Sequence, residues 1–292
     1  MIIPDENTKW LLELLSLCDV SPEEFEHRKK ALENAQKLPE SVISRFNDLY
    51  YNLAHEIKSF HFLQQFGKIV ISEDHRHKAG CDCNLNNHYQ IECVCSSAGE
   101  NTKGVDLFGK RRESKFYVGN NDKSFLFCRL TASVKKKLDF YNDHIKNGTI
   151  DTKLPYIIFL GLGALSNEIF SGENGIEYAG ILFGRGDLAL SVDKETGHMT
   201  PVGYTHNDVL FNHNHSEINC NIFSAEDYRC VSGIIISSAY LDEEYTTDNT
   251  WLFINPNAYV KINAEDFSNI VYWDLYSDDE YGPYKNGLKF EN

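Results

Sequence analysis

Long apolar runs are missing from this 292-residue chain. No segment approaches the roughly eighteen consecutive apolar residues that cross a bilayer, the most hydrophobic stretch being Tyr156 to Leu162, so no membrane association is expected. The chain opens Met1-Ile2-Ile3-Pro4-Asp5, with no basic n-region, apolar h-region or cleavage site, and its eight cysteines are therefore expected as reduced thiols in the cytoplasm. Positive charge is also scarce. The 28 Lys and Arg against 43 Asp and Glu give a formal net charge of -15, which excludes sequence-independent wrapping of nucleic acid. An enzyme acting on nucleic acid is compatible with that charge, because a carboxylate metal site adds acid where a cation will sit. Two local basic clusters could guide such a substrate: Lys103, Lys110, Arg111 and Arg112, and the triplet Lys135-Lys136-Lys137. For most of these charges a solvated surface is the simpler reading. A phosphate-cradling loop is absent, since Gly161-Leu162-Gly163 lacks the further glycine and acid of a dinucleotide site, and no Gly-x-Ser-x-Gly nucleophile elbow occurs.

What is present is enough apolar residue, 42%, to bury a substantial core. Residues 1 to about 66 read as helical. Ser21-Pro22-Glu23-Glu24 is a helix start, and another lies at Pro39-Glu40-Ser41. From there Phe46, Leu49, Tyr50, Leu53, Ile57 and Phe60 recur at helical spacing until Gly67. The period then changes to two, with a short strand at Ile69-Val70-Ile71. A third helix runs from about Phe127 to Lys146 on a stripe of Leu130, Val134, Leu138, Tyr141 and Ile145, and Pro155 to Leu160 reads as a strand covered on both faces. Strand-like runs follow at Tyr178 to Phe183, Asp187 to Val192, Gly233 to Ser238 and Trp251 to Ile254. No linker separates them, so 166–292 is expected to extend the same domain.

The densest chemistry lies between Gly80 and Cys95. Asn86-Asn87 can take the positive φ of a tight hairpin turn, and both flanks alternate. Asp82 and Glu92 then share one sheet face across the hairpin, while Cys81, Cys83, Cys93 and Cys95 take the other. The acids suit a hard divalent cation. The cysteines suit zinc in type but not in spacing, because Cys-x-Cys on flat strands spreads the sulfurs apart, and buried packing is the better account. His213-Asn214-His215 and the pair His75 and His77 read as solvated loops.

Helix, short strand, acid-bearing hairpin, helix and buried strand, in that order over residues 41 to 162, resemble the core of the PD-(D/E)xK nuclease-like superfamily. The resemblance implies an α/β, restriction-endonuclease-like mixed sheet flanked by helices, with an N-terminal helical region (1–40), a nuclease-like core (41–165) and a strand-rich extension (166–292). It also implies Mg²⁺ or Mn²⁺ held by Asp82, Glu92 and the helix acid Glu56, and hydrolysis of nucleic acid by metal-activated water. Cys81 replaces the motif's proline, and Val94 stands where its lysine belongs. Valine can neither orient nor activate water. With successive helix residues about 100° apart, Lys137 falls about 60° from the centre of its helix's apolar stripe and points toward the sheet, as does Glu56 on the earlier helix. Lys137 is thus the expected relocated lysine, with Arg129 two turns away to hold a phosphate oxygen. Two alternatives stay open: a catalytically inactive module of the same fold that binds a protein partner, and zinc binding through the cysteines.

Overall fold

The computed structural model describes residues 5–37, 47–72, 80–96, 123–162, 175–206, 208–211, 217–277 and 280–289. The expected helix start at Pro39, the cluster Lys103 to Arg112 and the His75, His77, His213 and His215 pairs lie outside the described residues. Three helices come first: α1 (Asp5–Ser16), α2 (Pro22–Gln36) and α3 (Asn52–Leu63), the last entered through a π-helical turn, Asn47–Tyr51. Ser21 caps α2 by accepting a hydrogen bond from the Glu24 amide. Next come β1 (Ile69–Ile71), β2 (Cys83–Leu85), β3 (Tyr89–Cys95), α4 (Lys123–Lys146) and β4 (Tyr156–Gly161). The expected order of helix, three strands, helix and buried strand is therefore present.

The remaining chain adds α5 (Ile176–Leu182), a hairpin of β5 (Arg185–Val192) and β6 (Met199–His206), and a short pair of β7 (Val209–Phe211) and β8 (Glu217–Asn219). It then returns to the main sheet as β9 (Gly233–Ser237), β10 (Thr250–Ile254), β11 (Val271–Ser277), β12 (Glu280–Lys285) and β13 (Leu288–Lys289). That sheet has nine strands in the order β1-β2-β3-β4-β9-β10-β11-β12-β13. It is mixed and mostly antiparallel: β4 runs parallel to β3 and to β9, and β10 runs parallel to β11.

Strand alternation divides the interior in two. Ile158, Leu160, Ile234, Ile236, Phe253 and Trp273 face α4 and α5, whereas Ile157, Phe159, Ile235 and Leu252 face Phe60, Phe62 and Leu63 of α3. Burial on both faces is why β4 reads as an unbroken apolar run.

Three sequence expectations fail locally. Tyr178 to Phe183 is helix rather than strand. Tyr178, Ile181 and Leu182 recur at i, i+3 and i+4 and all are buried, a period that six residues are too few to separate from alternation. Leu49 is exposed because the π turn shifts the buried face to Tyr50, Tyr51, Ala54 and Ile57. Ile145 is exposed because its turn of α4 faces a surface cleft with Tyr141, Thr152 and Tyr259 instead of the sheet.

Polar contacts lock α3 in place. His55 is fully buried, with Nε2 2.7 Å from the Phe159 carbonyl and Nδ1 2.5 Å from the Tyr245 hydroxyl. Burial pushes its pKa down to about 3, so the ring is neutral, donating to the carbonyl and accepting from the tyrosine. Lys58, one turn on, donates to the carbonyls of Tyr240 and Glu243 at 2.7 and 3.0 Å. Gly161 closes β4 beside this imidazole, and a Cβ there would stand 2.5 Å from Nδ1. A ring held at both nitrogens cannot step aside. Gly161→Ala is therefore expected to lower stability by about 1–3 kcal/mol in urea unfolding. An unchanged midpoint would mean that His55 is not fixed.

Candidate functional site

The hairpin forms as its pattern requires. Asn86 and Asn87 have φ of 56° and 52°, the His88 amide donates to the Leu85 carbonyl at 3.0 Å, and Cys83 pairs with Ile91. That register sets Asp82 opposite Glu92. The Cys93 amide donates to Asp82 Oδ2 at 2.6 Å, tying the acid across the hairpin.

α4 supplies the counter-charge. Lys137 Nζ lies 2.5 Å from Glu92 Oε1, the two side chains being 13% and 6% exposed. Lys135 and Lys136 are exposed, so of the three consecutive lysines only the 137th turns inward. Arg129 and Ser133 lie on the same side of α4, and with Asn52, Glu56, Cys93, Val94, Cys95, Lys136 and Lys137 they wall a cleft of about 320 Å³. Four of the expected site residues, Glu56, Arg129, Lys137 and, through its ion pair, Glu92, thus meet at one cleft, with Asp82 behind it.

Glu56 has a partner that the sequence reading did not foresee. Arg28 of α2 reaches Glu56 Oε2 through Nη1 at 2.5 Å and Glu24 Oε1 through Nε at 2.6 Å, with its guanidinium carbon 5.1 Å from the centre of the Phe60 ring. A signal was available. The buried stripe of α2 is Glu24, Arg28, Leu32 and Ala35, so two opposite charges occupy positions where apolar residues belong.

The charges are strongly coupled. Burial, then repulsion from Glu92 and Glu56, holds Asp82 well above the usual carboxylate range, against the opposing pull of Lys137 and the Cys93 amide. Burial also raises Glu92, with Lys137 and His144 working against it. Burial disfavours the Lys137 ammonium, but Glu92 and Asp82 more than compensate and keep its pKa up at about 12. Among the described residues, three buried polar atoms near this site have no hydrogen-bond partner: Glu92 Oε2, His144 Nδ1 and the hydroxyl of Tyr156, whose pKa is raised by burial and by the charges of Glu92 and Asp82.

The cysteines are divided between environments. Cys83 and Cys93 pack with Phe60 and Ile91, while Cys95 joins the opposite core. Burial pushes the Cys81 thiol up to about 12 and those of Cys83 and Cys93 well above the ordinary value, which favours neutral packing thiols. The chain matches no family model, no curated protein and no solved structure. Among the described residues, no group of three or more His, Cys, Asp or Glu is arranged to hold a metal ion. For a hard cation the fitting donors are therefore a pair: Asp82, crowded by like charge, and Glu92, with its unpartnered Oε2.

Replacing Lys137 strands a buried carboxylate. Lys137→Met is expected to cost about 3 kcal/mol at pH 8, and adding Glu92→Gln to recover a large part of it. Strictly additive losses in this urea-denaturation cycle would mean that the pair is not energetically coupled.

Proposed function

We propose that the chain is a Mg²⁺- or Mn²⁺-dependent phosphodiester hydrolase acting on nucleic acid, built on the core of the restriction-endonuclease-like fold. The observation that carries this reading is the 2.5 Å contact between Lys137 and Glu92. It puts the relocated lysine's charge beside the acid that lost its strand partner to Val94, which is buried and apolar.

In this reading Asp82 and Glu92 hold the divalent ion, whose chemistry is to polarise a phosphoryl oxygen and lower the pKa of bound water. Lys137, protonated up to about pH 12, is a donor rather than a base. Its ammonium orients the attacking water and offsets charge building on the phosphorus oxygens. Arg129, on the cleft wall, takes a non-bridging phosphate oxygen. Water's oxygen bonds to phosphorus and gives up a proton to solvent as the ester P–O bond breaks, and the departing oxygen takes up a proton from solvent, leaving a phosphate monoester and an alcohol. The exposed Lys136 at the cleft supplies the local positive charge that the chain as a whole lacks.

The second reading is a module of the same fold that binds a protein partner without catalysis. Val94 and the occupation of Glu56 by Arg28 favour it. Incubation with single- and double-stranded DNA and RNA in Mg²⁺ or Mn²⁺ separates the two. The enzyme reading predicts cleavage that EDTA stops and that Asp82→Asn, Glu92→Gln or Lys137→Ala lowers by about 10²-fold or more. Cleavage indifferent to all three substitutions would overturn it, and no cleavage of any substrate would leave the binding module as the better account.

A further inference from the structure

A second buried ion-pair group, on α2 and α3, borders the site. Arg28 is almost wholly buried and holds Glu24 and Glu56 together. Among the described residues, Glu92 Oε2 is buried without a hydrogen-bond partner, in a residue 4% exposed.

We propose that Arg28 is a positioning residue that takes Glu56 out of the ligand set, so that the site binds a single divalent ion between Asp82 and Glu92. This rests on the metal-dependent reading above and deepens it. Glu56 Oε2 is engaged at 2.5 Å by a planar cation that cannot lose its charge, and Arg28 is fixed in turn by Glu24 and the face of Phe60. From behind the cleft, the Arg28 charge offsets that of Glu56 and weakens its pull on a metal ion. With Arg28 in place, the work of Glu56 is to hold α2 against α3. Freed from Arg28, the same carboxylate faces the cleft and becomes a third oxygen donor.

The test is calorimetric titration of the full chain with Mn²⁺ alone, read as stoichiometry and affinity, with circular dichroism and a melting temperature for every variant. The wild type is expected to bind one equivalent, Asp82→Asn to bind more than about tenfold more weakly, and Glu56→Gln to keep both the single equivalent and the wild-type affinity. Arg28→Met is expected to bind a second equivalent, or to bind the first more than about tenfold more tightly as Glu56 joins the set. If that variant does not fold, Glu56→Gln carries the decision. One equivalent in the wild type with an affinity lost in Glu56→Gln overturns the proposal while leaving the metal-dependent reading intact. No binding by the wild type removes both.

Discussion

Everything at this site depends on keeping the charge of Glu92 inside a sheet that is covered on both faces. An isolated carboxylate there is untenable, because burial alone costs several kcal/mol unless a partner is supplied. Lys137 supplies it to one oxygen at 2.5 Å, and the other has none among the described residues. The ion pair thus does two jobs. It fixes the rotation of α4 against β3, since turning the helix by one residue would replace Lys137 with Lys136 or Leu138. It also leaves one buried carboxylate oxygen, Glu92 Oε2, incompletely satisfied among the described residues, and a buried polar atom left without a partner calls for an explanation.

The rest of the molecule holds that arrangement still. The hairpin's Asn86-Asn87 turn and the Cys93 amide keep Asp82 opposite Glu92. His55 and Lys58 lock α3 to β4 and to residues 240–245, so Glu56, on the same helix, is delivered to the cleft at a fixed height. Strands β9 to β11 complete the cover of β4 and keep the sheet continuous past the core. The proposed catalysis would need such rigidity, because a site of two acids and a lysine works only when their separation is set before substrate arrives.

Much of this was legible in the sequence, for identifiable reasons. Period-two alternation on both sides of Asn86-Asn87 separated the acids from Cys83 and Cys93, though not from Cys95, which joins the opposite core at the strand end, and the 100° step of an α-helix singled out Lys137 from its two neighbours. These are local rules acting over fewer than twenty residues. Arg28 escaped because its partner Glu56 is 28 positions away, and no local rule pairs them. Its only trace was a charged couple on the buried stripe of α2. The helix at Ile176–Leu182 escaped for the opposite reason, since so short a segment of helix and a strand share the same apolar letters, and Leu49 escaped because the π turn at Asn47–Tyr51 departs from the regular helical step.

The proposed metal site joins Asp82 and Glu92 to a lysine supplied from α4. Its most direct test is a crystal structure of the protein grown with Mn²⁺, with data collected at the manganese absorption edge. The account predicts one anomalous peak bonded to an oxygen of Asp82 and to Glu92 Oε2, with Lys137 still at Glu92 Oε1 and Arg28 still on Glu56. Manganese bound elsewhere, or a site between Asp82 and Glu92 that stays empty at saturating concentration, would contradict it.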